Sequence, residues 1–385
     1  MNIPAPTPLG TRPTFALGAP FGHVFAPLWE RASRGGACPV VMHTLGPEIE
    51  RARLGPRELR DATCASLASI GFDHPWGIGG VVREADDAAQ FATAGFTWFT
   101  FDLRHLVNRR APHMSLDELD AAIVALEDAR CFPPDWHAEY LDRTFETIPP
   151  LTFSDEDLAR AAVAFGPALA HAEQLQQAVR ACWAGRGGLP DIEISIAGTR
   201  YPTTPAETLF IALQLRGRGI VASTFSPSLG GAWPLGAATS FSTEEIHAAI
   251  SAHQSACTAG GIAKTGIHFA AGKESALAGL GGLHRDEHMD AWLEALRLAA
   301  ADDPQLFRAW LAASRDSFML ARGDQPVELG DDDARSLPEV GDDSLAATFL
   351  ETPQGRQLLL ATLDEVRASE SGARLGEFLS GRARP

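Results

Sequence analysis

The feature that most constrains the fold is a regular alternation of short apolar runs with longer amphipathic stretches. The runs PVVMHTL (39–45), GIGGVV (77–82), FTWFTFDL (96–103), IEISIAG (192–198), IVASTFS (220–226) and KTGIHFAAG (264–272) are bounded by turn formers and mostly rich in β-branched or aromatic residues. They read as strands. The stretches between them read as helices. ADDAAQFATAG (85–95) ends in a glycine suited to a helix C-terminus. SLDELDAAIVALEDA (115–129) opens on Ser115 with an acid three residues on, and residues 242–261 pair Ser242 with Glu245 in the same way. Residues 154–185 read as one long or bent helix, and residues 205–219 start on proline and stop at glycine.

Strand, helix, strand, helix at this spacing implies a parallel sheet. Strands without a polar face suit a sheet covered on both sides. With 385 residues, a closed barrel fits better than an open sheet. The expected class is α/β, a (β/α)8 TIM-type barrel with extra C-terminal helices. Residues 1–13, with four prolines, read as an irregular arm, and 14–321 as the barrel. Residues 322–385 read as an acidic loop followed by helices packing on the barrel.

Charge narrows the partners. Lys and Arg number 32 against 49 Asp and Glu, a net charge of −17. Such a surface repels phosphate backbones and anionic lipid, so neither nucleic acid nor a membrane is expected. No run approaches the 18 or so unbroken apolar residues of a membrane span. Five scattered cysteines without a CxxC pair suit a reducing compartment, and the start MNIPAPTPLGTRPTF lacks a basic-then-apolar leader. The expected location is cytoplasmic. No glycine-rich phosphate loop follows a strand, and no nucleophile elbow or HExxH is present.

In a parallel barrel the chemistry sits at the C-terminal strand ends. Asp102 ends one strand and is followed by Arg104 and His105. It suits a base or metal ligand, and equally a loop cap. Arg109 and Arg110 add a small basic spot. Glu193 alternates with apolar neighbours, so it points into the barrel and needs a partner. Arg200 on the next loop is an anion ligand or a solvated arginine. His268 suits a metal ligand, a proton carrier or a hydrogen-bonded core histidine, and Lys273 follows it. The stretch LHRDEHMD (283–290) reads as a helix start, which puts His284 and His288 on one face. His171, near Glu173, caps the barrel or packs against it.

Several strings together resemble the tagaturonate epimerase family. They are TFALGAPFG, RELRDAT, AGFTWFTFD, ALAHAEQL, IEISIAGTRYPTTP followed by LRGRGI, TGIHFAAGK, DPQLFRAWL and ETPQGRQLLLATL, in family order from about residue 14 to 368. The resemblance implies a (β/α) barrel, a divalent cation (manganese, nickel or zinc) and a small sugar-acid ligand. It implies epimerisation at carbon 3 of a ketohexuronate, interconverting tagaturonate and fructuronate, with the metal polarising oxygens beside the reacting carbon. It leaves the oligomeric state open.

The departures from the family pattern are specific. The family's early Asp-x-Asp-His segment falls on GIGGVV. Acids expected after IEISI fall on Ala197, Gly198 and Arg200, and a charged stretch falls on SPSLGGAWPLG (226–236). Polar neighbours of His268 are replaced by Phe269, Ala270, Ala271 and Gly272, while His268, Lys273, Asp102 and His171 match. The candidate roles are catalysis for Asp102, Glu193 and Lys273, substrate binding for Arg104, His105 and Arg200, and a metal for His268. A catalytic metal needs about three protein ligands, and this set falls short. The expectation is a barrel with lost or changed chemistry, inactive or repurposed toward another sugar-acid-like ligand, with a divalent cation if active and otherwise no cofactor. The alternatives are an active epimerase or isomerase with a rearranged site, and a non-enzymatic interaction protein using the acidic tail.

Overall fold

The computed structural model describes residues 4–18, 36–44, 55–69, 71–133, 136–197, 202–229, 243–268 and 280–286. Its parallel strands close into a barrel in chain order: β1 (Thr14–Gly18), β2 (Cys38–Thr44), β3 (Gly77–Val82), β4 (Trp98–Asp102), β5 (Asp191–Ser195), β6 (Thr224–Ser226), β7 (Lys264–His268) and β8 (Leu283–Asp286). The helices are α1 (Pro56–Ser69), α2 (Ala85–Ala94), α3 (Leu116–Asp128), α4 (Asp155–Trp183), α5 (Pro205–Gly217) and α6 (Thr243–Gly260). The expected TIM-type barrel is therefore the observed one.

Local chemistry explains the helix ends. Gly95 takes φ 94° and returns its N–H to the last turn of α2, a conformation that favours glycine. Ser115 with Glu118, Ser154 with Asp157 and Thr204 with Glu207 form reciprocal capping boxes at α3, α4 and α5. The Ser242 half of the box expected at α6 lies outside the described residues.

One expectation is corrected. LHRD does not open a helix; it forms β8, which pairs with β7 on one side and β1 on the other. A polar tetrapeptide becomes a strand here because its backbone closes the ladder between two open edges, and that tertiary demand overrides its weak local preference. His284 is thus a strand residue, its supposed helical pairing with His288 is lost, and His288 lies outside the described residues.

Strand alternation sorts the core into two parts. Phe99, Phe101, Ile192, Ile194, Phe225 and Ile267 face outward and pack with helix residues such as Phe91, Leu175, Leu209 and Ile250. Inside the barrel, Ala16, Val40, Met42 and Trp98 pack with Leu9 of the N-terminal arm. That arm stops the bottom of the barrel. Trp76 Nε1 donates to Pro4 O at 2.8 Å, and Asp191 accepts the backbone N–H groups of Leu9 at 2.5 Å and Gly10 at 2.9 Å.

The segment between β4 and α4 carries α3 and an aromatic cluster that the sequence reading did not anticipate. Phe132, Trp136, Tyr140, Phe145 and Phe153 gather with Phe210 of α5. Gln214 Nε2 donates to the Tyr140 hydroxyl at 2.9 Å, and Ile148 N donates to Ser255 Oγ on α6 at 2.8 Å. The segment therefore belts the outside of α4, α5 and α6. Among the described residues no helix is long and apolar enough to cross a membrane. The expected acidic loop and C-terminal helices of 322–385 lie outside the described residues.

Candidate active site

The outward parity of β4, β5 and β7 is mostly apolar, so the opposite parity points inward and carries the polar groups. These are Trp98, Thr100 and Asp102 on β4, Asp191, Glu193 and Ser195 on β5, and Lys264, Gly266 and His268 on β7. A cross-barrel contact verifies the direction. Glu193 Oε2 lies 3.7 Å from His284 Nε2, although β5 and β8 are not neighbouring strands.

Glu193 is the centre of this interior network and is fully buried. Thr100 Oγ1 donates to it at 2.6 Å, His268 Nε2 donates at 3.1 Å, and Ser226 Oγ donates to the same oxygen as His268. Burial by itself raises a carboxyl pKa. Here the His284 and His268 imidazoles and the Ser226 hydroxyl outweigh burial and hold Glu193 well below the usual carboxylate range. Gly266 makes the room: a Cβ there would overlap Ser226 Oγ and come within 2.9 Å of Glu193 Oε1. His268 ends β7 with 31% of its side chain exposed. Since Nε2 donates to Glu193, Nδ1 is the proton-accepting nitrogen of the neutral ring.

One layer lower sits Lys264, fully buried, with Nζ 4.6 Å from the Trp98 ring centroid. Its ammonium has no hydrogen-bond partner among the described residues. Burial brings its pKa down to about 8, against the opposing pull of Asp191 and Glu193. Burial likewise pushes the Asp191 carboxyl up, against the Leu9 and Gly10 amides and Lys264. His284 stacks on Trp98 at 4.5 Å and shares a 2.8 Å hydrogen bond with Thr14 Oγ1.

A second group lies on the rim above β3 and β4. Asp102 Oδ2 accepts Arg83 Nε at 2.9 Å and Nη2 at 2.8 Å, and lies 3.2 Å from Arg104 Nε. His171 Nε2 on α4 donates to Arg83 O at 2.6 Å, and the His105 ring meets the His171 ring edge-on at 6.4 Å.

The comparisons with known proteins agree with this architecture. A family model described as tagaturonate epimerase matches residues 1–375. The chain belongs to that family. It is 23% identical over 371 residues to the tagaturonate/fructuronate epimerase of Thermotoga maritima, covering 94% of this chain and 74% of that protein. A glycerol-complexed crystal structure of fructuronate-tagaturonate epimerase from Cohnella laeviribosi superposes with a TM-score of 0.77 at 20% identity, covering 98% of this chain and 82% of that one. The native crystal structure of the same protein gives 0.73 at 21% identity with the same coverage. At such identities the structural likeness establishes the fold.

Measured against the tagaturonate epimerase family, the described site fits the implied cation poorly. Among the described residues no group of three or more His, Cys, Asp or Glu side chains is placed to hold a metal ion. Glu193 spends both oxygens on protein donors, and the nitrogen that His268 turns to Glu193 is engaged. The structure thus brings Glu193 and His268 together and gathers Asp102, Arg104, His105 and His171 on the rim. Arg200 and Lys273 lie outside the described residues. Arg110 is exposed and lies 3.8 Å from Glu118.

Thr100, Ser226, Lys264 and Arg83 are not singled out from sequence, and His284 is singled out there only as a helix residue paired with His288. Thr100, Ser226 and Lys264 share the inward parity of Glu193, so extending the alternation along every strand finds them, whereas the inward position of His284 depends on β8, which the sequence reads as a helix start. Arg83 follows β3 as its strand-end residue.

Proposed function

We propose that this member of the tagaturonate epimerase family has given up metal-dependent C3 epimerisation and binds a sugar-acid-like ligand at the barrel mouth. The observation that carries the reading is the state of Glu193. A metal-binding carboxylate must keep oxygen lone pairs for the cation, whereas both oxygens of this one accept from protein donors on Thr100, Ser226 and His268, with His284 Nε2 at 3.7 Å. The strand end at β3, where the family places acids and a histidine, offers only Gly79, Gly80, Val81 and Val82. Among the described residues no group of three or more His, Cys, Asp or Glu side chains is placed to hold a cation.

The test is a turnover assay of the purified chain with manganese, nickel or zinc added, over a panel of ketohexuronic and ketohexonic acids, beside elemental analysis of the same samples. The expected result is no interconversion of tagaturonate and fructuronate and less than about a tenth of an equivalent of retained cation. Turnover of either acid would overturn the reading.

A second reading, an active isomerase with a rearranged site, draws on one observation. His268 stands at a strand end, partly exposed, with its tautomer set by a buried carboxylate, the arrangement of a general base and its orienting partner. Metal-independent turnover of any panel member that disappears in H268Q would favour it.

A further inference from the structure

We infer that the barrel interior binds an ordered water between Lys264, Thr224 and the carboxylates of β5. Two groups mark the place. Lys264 Nζ and Thr224 Oγ1 are both fully buried, and neither makes a hydrogen bond among the described residues. They belong to one inner face. Thr224 stands opposite Lys264 in the β6–β7 ladder and opposite Glu193 in the β5–β6 ladder. Thr224 has the parity of Ser226, and Lys264 has that of His268, and both of those side chains bond Glu193 inside the barrel.

The lysine spans the interior. Its stem leaves β7, and Nζ lies 4.6 Å from the centroid of the Trp98 ring on β4, so the side chain passes the inward positions of β6 and β5 on its way. Asp191 and Glu193 on β5 both attract the ammonium. Even so, no ion pair within 4.0 Å joins Nζ to either carboxylate among the described residues. Opposite charges that act on one another across a gap too wide for a hydrogen bond are in the arrangement that a bridging water completes. An ammonium carries three donors, and leaving all of them unmet in a buried place is costly. Interior waters are held by two to four such polar partners.

Charge then selects the ligand. An anion such as chloride is repelled by Asp191 and Glu193. A metal cation finds no lone pair on an ammonium and is repelled by it. Water is neutral and takes both roles: it accepts from Lys264 Nζ and donates to Thr224 Oγ1 and to a β5 carboxylate oxygen. The site does not depend on what the barrel mouth binds.

A crystal structure of the full chain, at a resolution that shows interior waters, tests the site. The expected result is a water within hydrogen-bonding reach of Lys264 Nζ and of Thr224 Oγ1 or a β5 carboxylate oxygen. Nζ bonded directly to a carboxylate, an ion in the water's place, or Nζ without any polar neighbour would each overturn it. Nuclear magnetic resonance gives a second measurement in solution. Lys264 and Lys273 are the only lysines in the sequence, so isotope labelling of lysine nitrogen leaves two side-chain signals to tell apart. The Lys264 signal is expected to show cross-relaxation with a long-lived water. T224V removes one of the water's partners and should weaken that cross-peak about fivefold, the worth of one hydrogen bond, while the Lys273 signal holds. T224S, which keeps the hydroxyl, should retain it. A wild-type Lys264 signal with no water cross-peak, or an equal cross-peak in T224V, overturns the site. If T224V unfolds, the crystal structure and the wild-type signal decide.

Discussion

Replacing Lys264 with methionine should make this protein more stable. The side chain is fully buried, its ammonium lacks a hydrogen-bond partner among the described residues, and its strongest companions are a Trp98 ring face and two carboxylates beyond hydrogen-bonding reach. Burial brings its pKa down to about 8 from 10.5. Since each pKa unit corresponds to about 1.4 kcal/mol, the charged form costs the fold about 3 kcal/mol relative to the neutral one. Methionine has a similar length and no charge, so K264M should recover about that amount at pH 7. The pH dependence gives an independent check. Between about 8 and 10.5 the unfolded chain binds the proton and the folded chain does not, so the wild-type contribution improves as pH rises through that window. Buried Cys257, pushed up to about 12 chiefly by burial, drives stability the other way above pH 9, but it is present in both proteins and cancels in their difference. Guanidinium denaturation followed by tryptophan fluorescence, from pH 7 to 10.5, should show K264M ahead by about 3 kcal/mol at the low end and nearly level at the high end. A K264M protein less stable than wild type at pH 7 would refute the reasoning, because attraction to Asp191 and Glu193 would then exceed the cost of burial.

Four further outcomes follow from the same interior. E193Q removes the charge around which Thr100, Ser226, His268 and His284 are arranged, and should cost about 3–5 kcal/mol in denaturant melts at pH 7. Because the folded-state pKa of Glu193 is depressed, its contribution is present above pH 4 or so and fades as pH falls toward the folded value, so E193Q should show a flatter acid limb; an unchanged limb would sink this account. G266A should cost about 1–3 kcal/mol, since the added methyl overlaps Ser226 Oγ, and a neutral result would place the Glu193–Ser226 contact in doubt. D191A frees the Leu9 and Gly10 amides, and their hydrogen exchange should quicken about tenfold or more while amides of α4 hold steady. Saturating manganese, nickel or zinc should leave the melting temperature in place, whereas a site filled at 1,000 times its dissociation constant would add about 4 kcal/mol.

The legibility of this fold in its sequence varied with where the determining forces lie. Helices α2 to α5 and strand β3 were readable to within a few residues, because capping residues, terminal glycines and strand composition act locally. Strand β8 was not, because LHRD owes its conformation to the two strands it joins. The belt between β4 and α4 was missed for a similar reason. Its aromatic residues are spaced irregularly in sequence and meet only after wrapping α5, so no periodicity marks them. In the site, Glu193 was readable because a charge alternating with isoleucines must face inward and be paired. Its pairing with Ser226, His268 and His284 was not, since these come from three other strands and their convergence depends on barrel register. Asp102 illustrates a further limit: at a strand end it suited a base or a cap, and Arg83, 19 residues earlier, makes it the anchor of an arginine fork.

The distribution of polarity inside the barrel shows how its buried charges are accommodated. The interior is divided, with an apolar wedge from Ala16, Val40, Met42 and Trp98 on β1, β2 and β4, closed from below by Leu9, and a polar wedge from β4 to β8. Strand β3 faces the apolar side, where Gly79 lies so close to Met42 that a Cβ would collide with its sulfur. A carboxylate buried on the polar side without a counter-charge would cost several kcal/mol. Glu193 escapes that cost because hydroxyls and imidazoles from β4, β6, β7 and β8 take up its charge, and Asp191 because the arm amides cap it. Lys264 is the one charge in this wedge without a hydrogen-bonded solution among the described residues. The two carboxylates, Asp191 and Glu193, supply the field that makes an ammonium tolerable there at all. The interior is therefore best treated as one coupled set: removing either acid should lower the Lys264 pKa further, and removing the lysine should raise that of both acids.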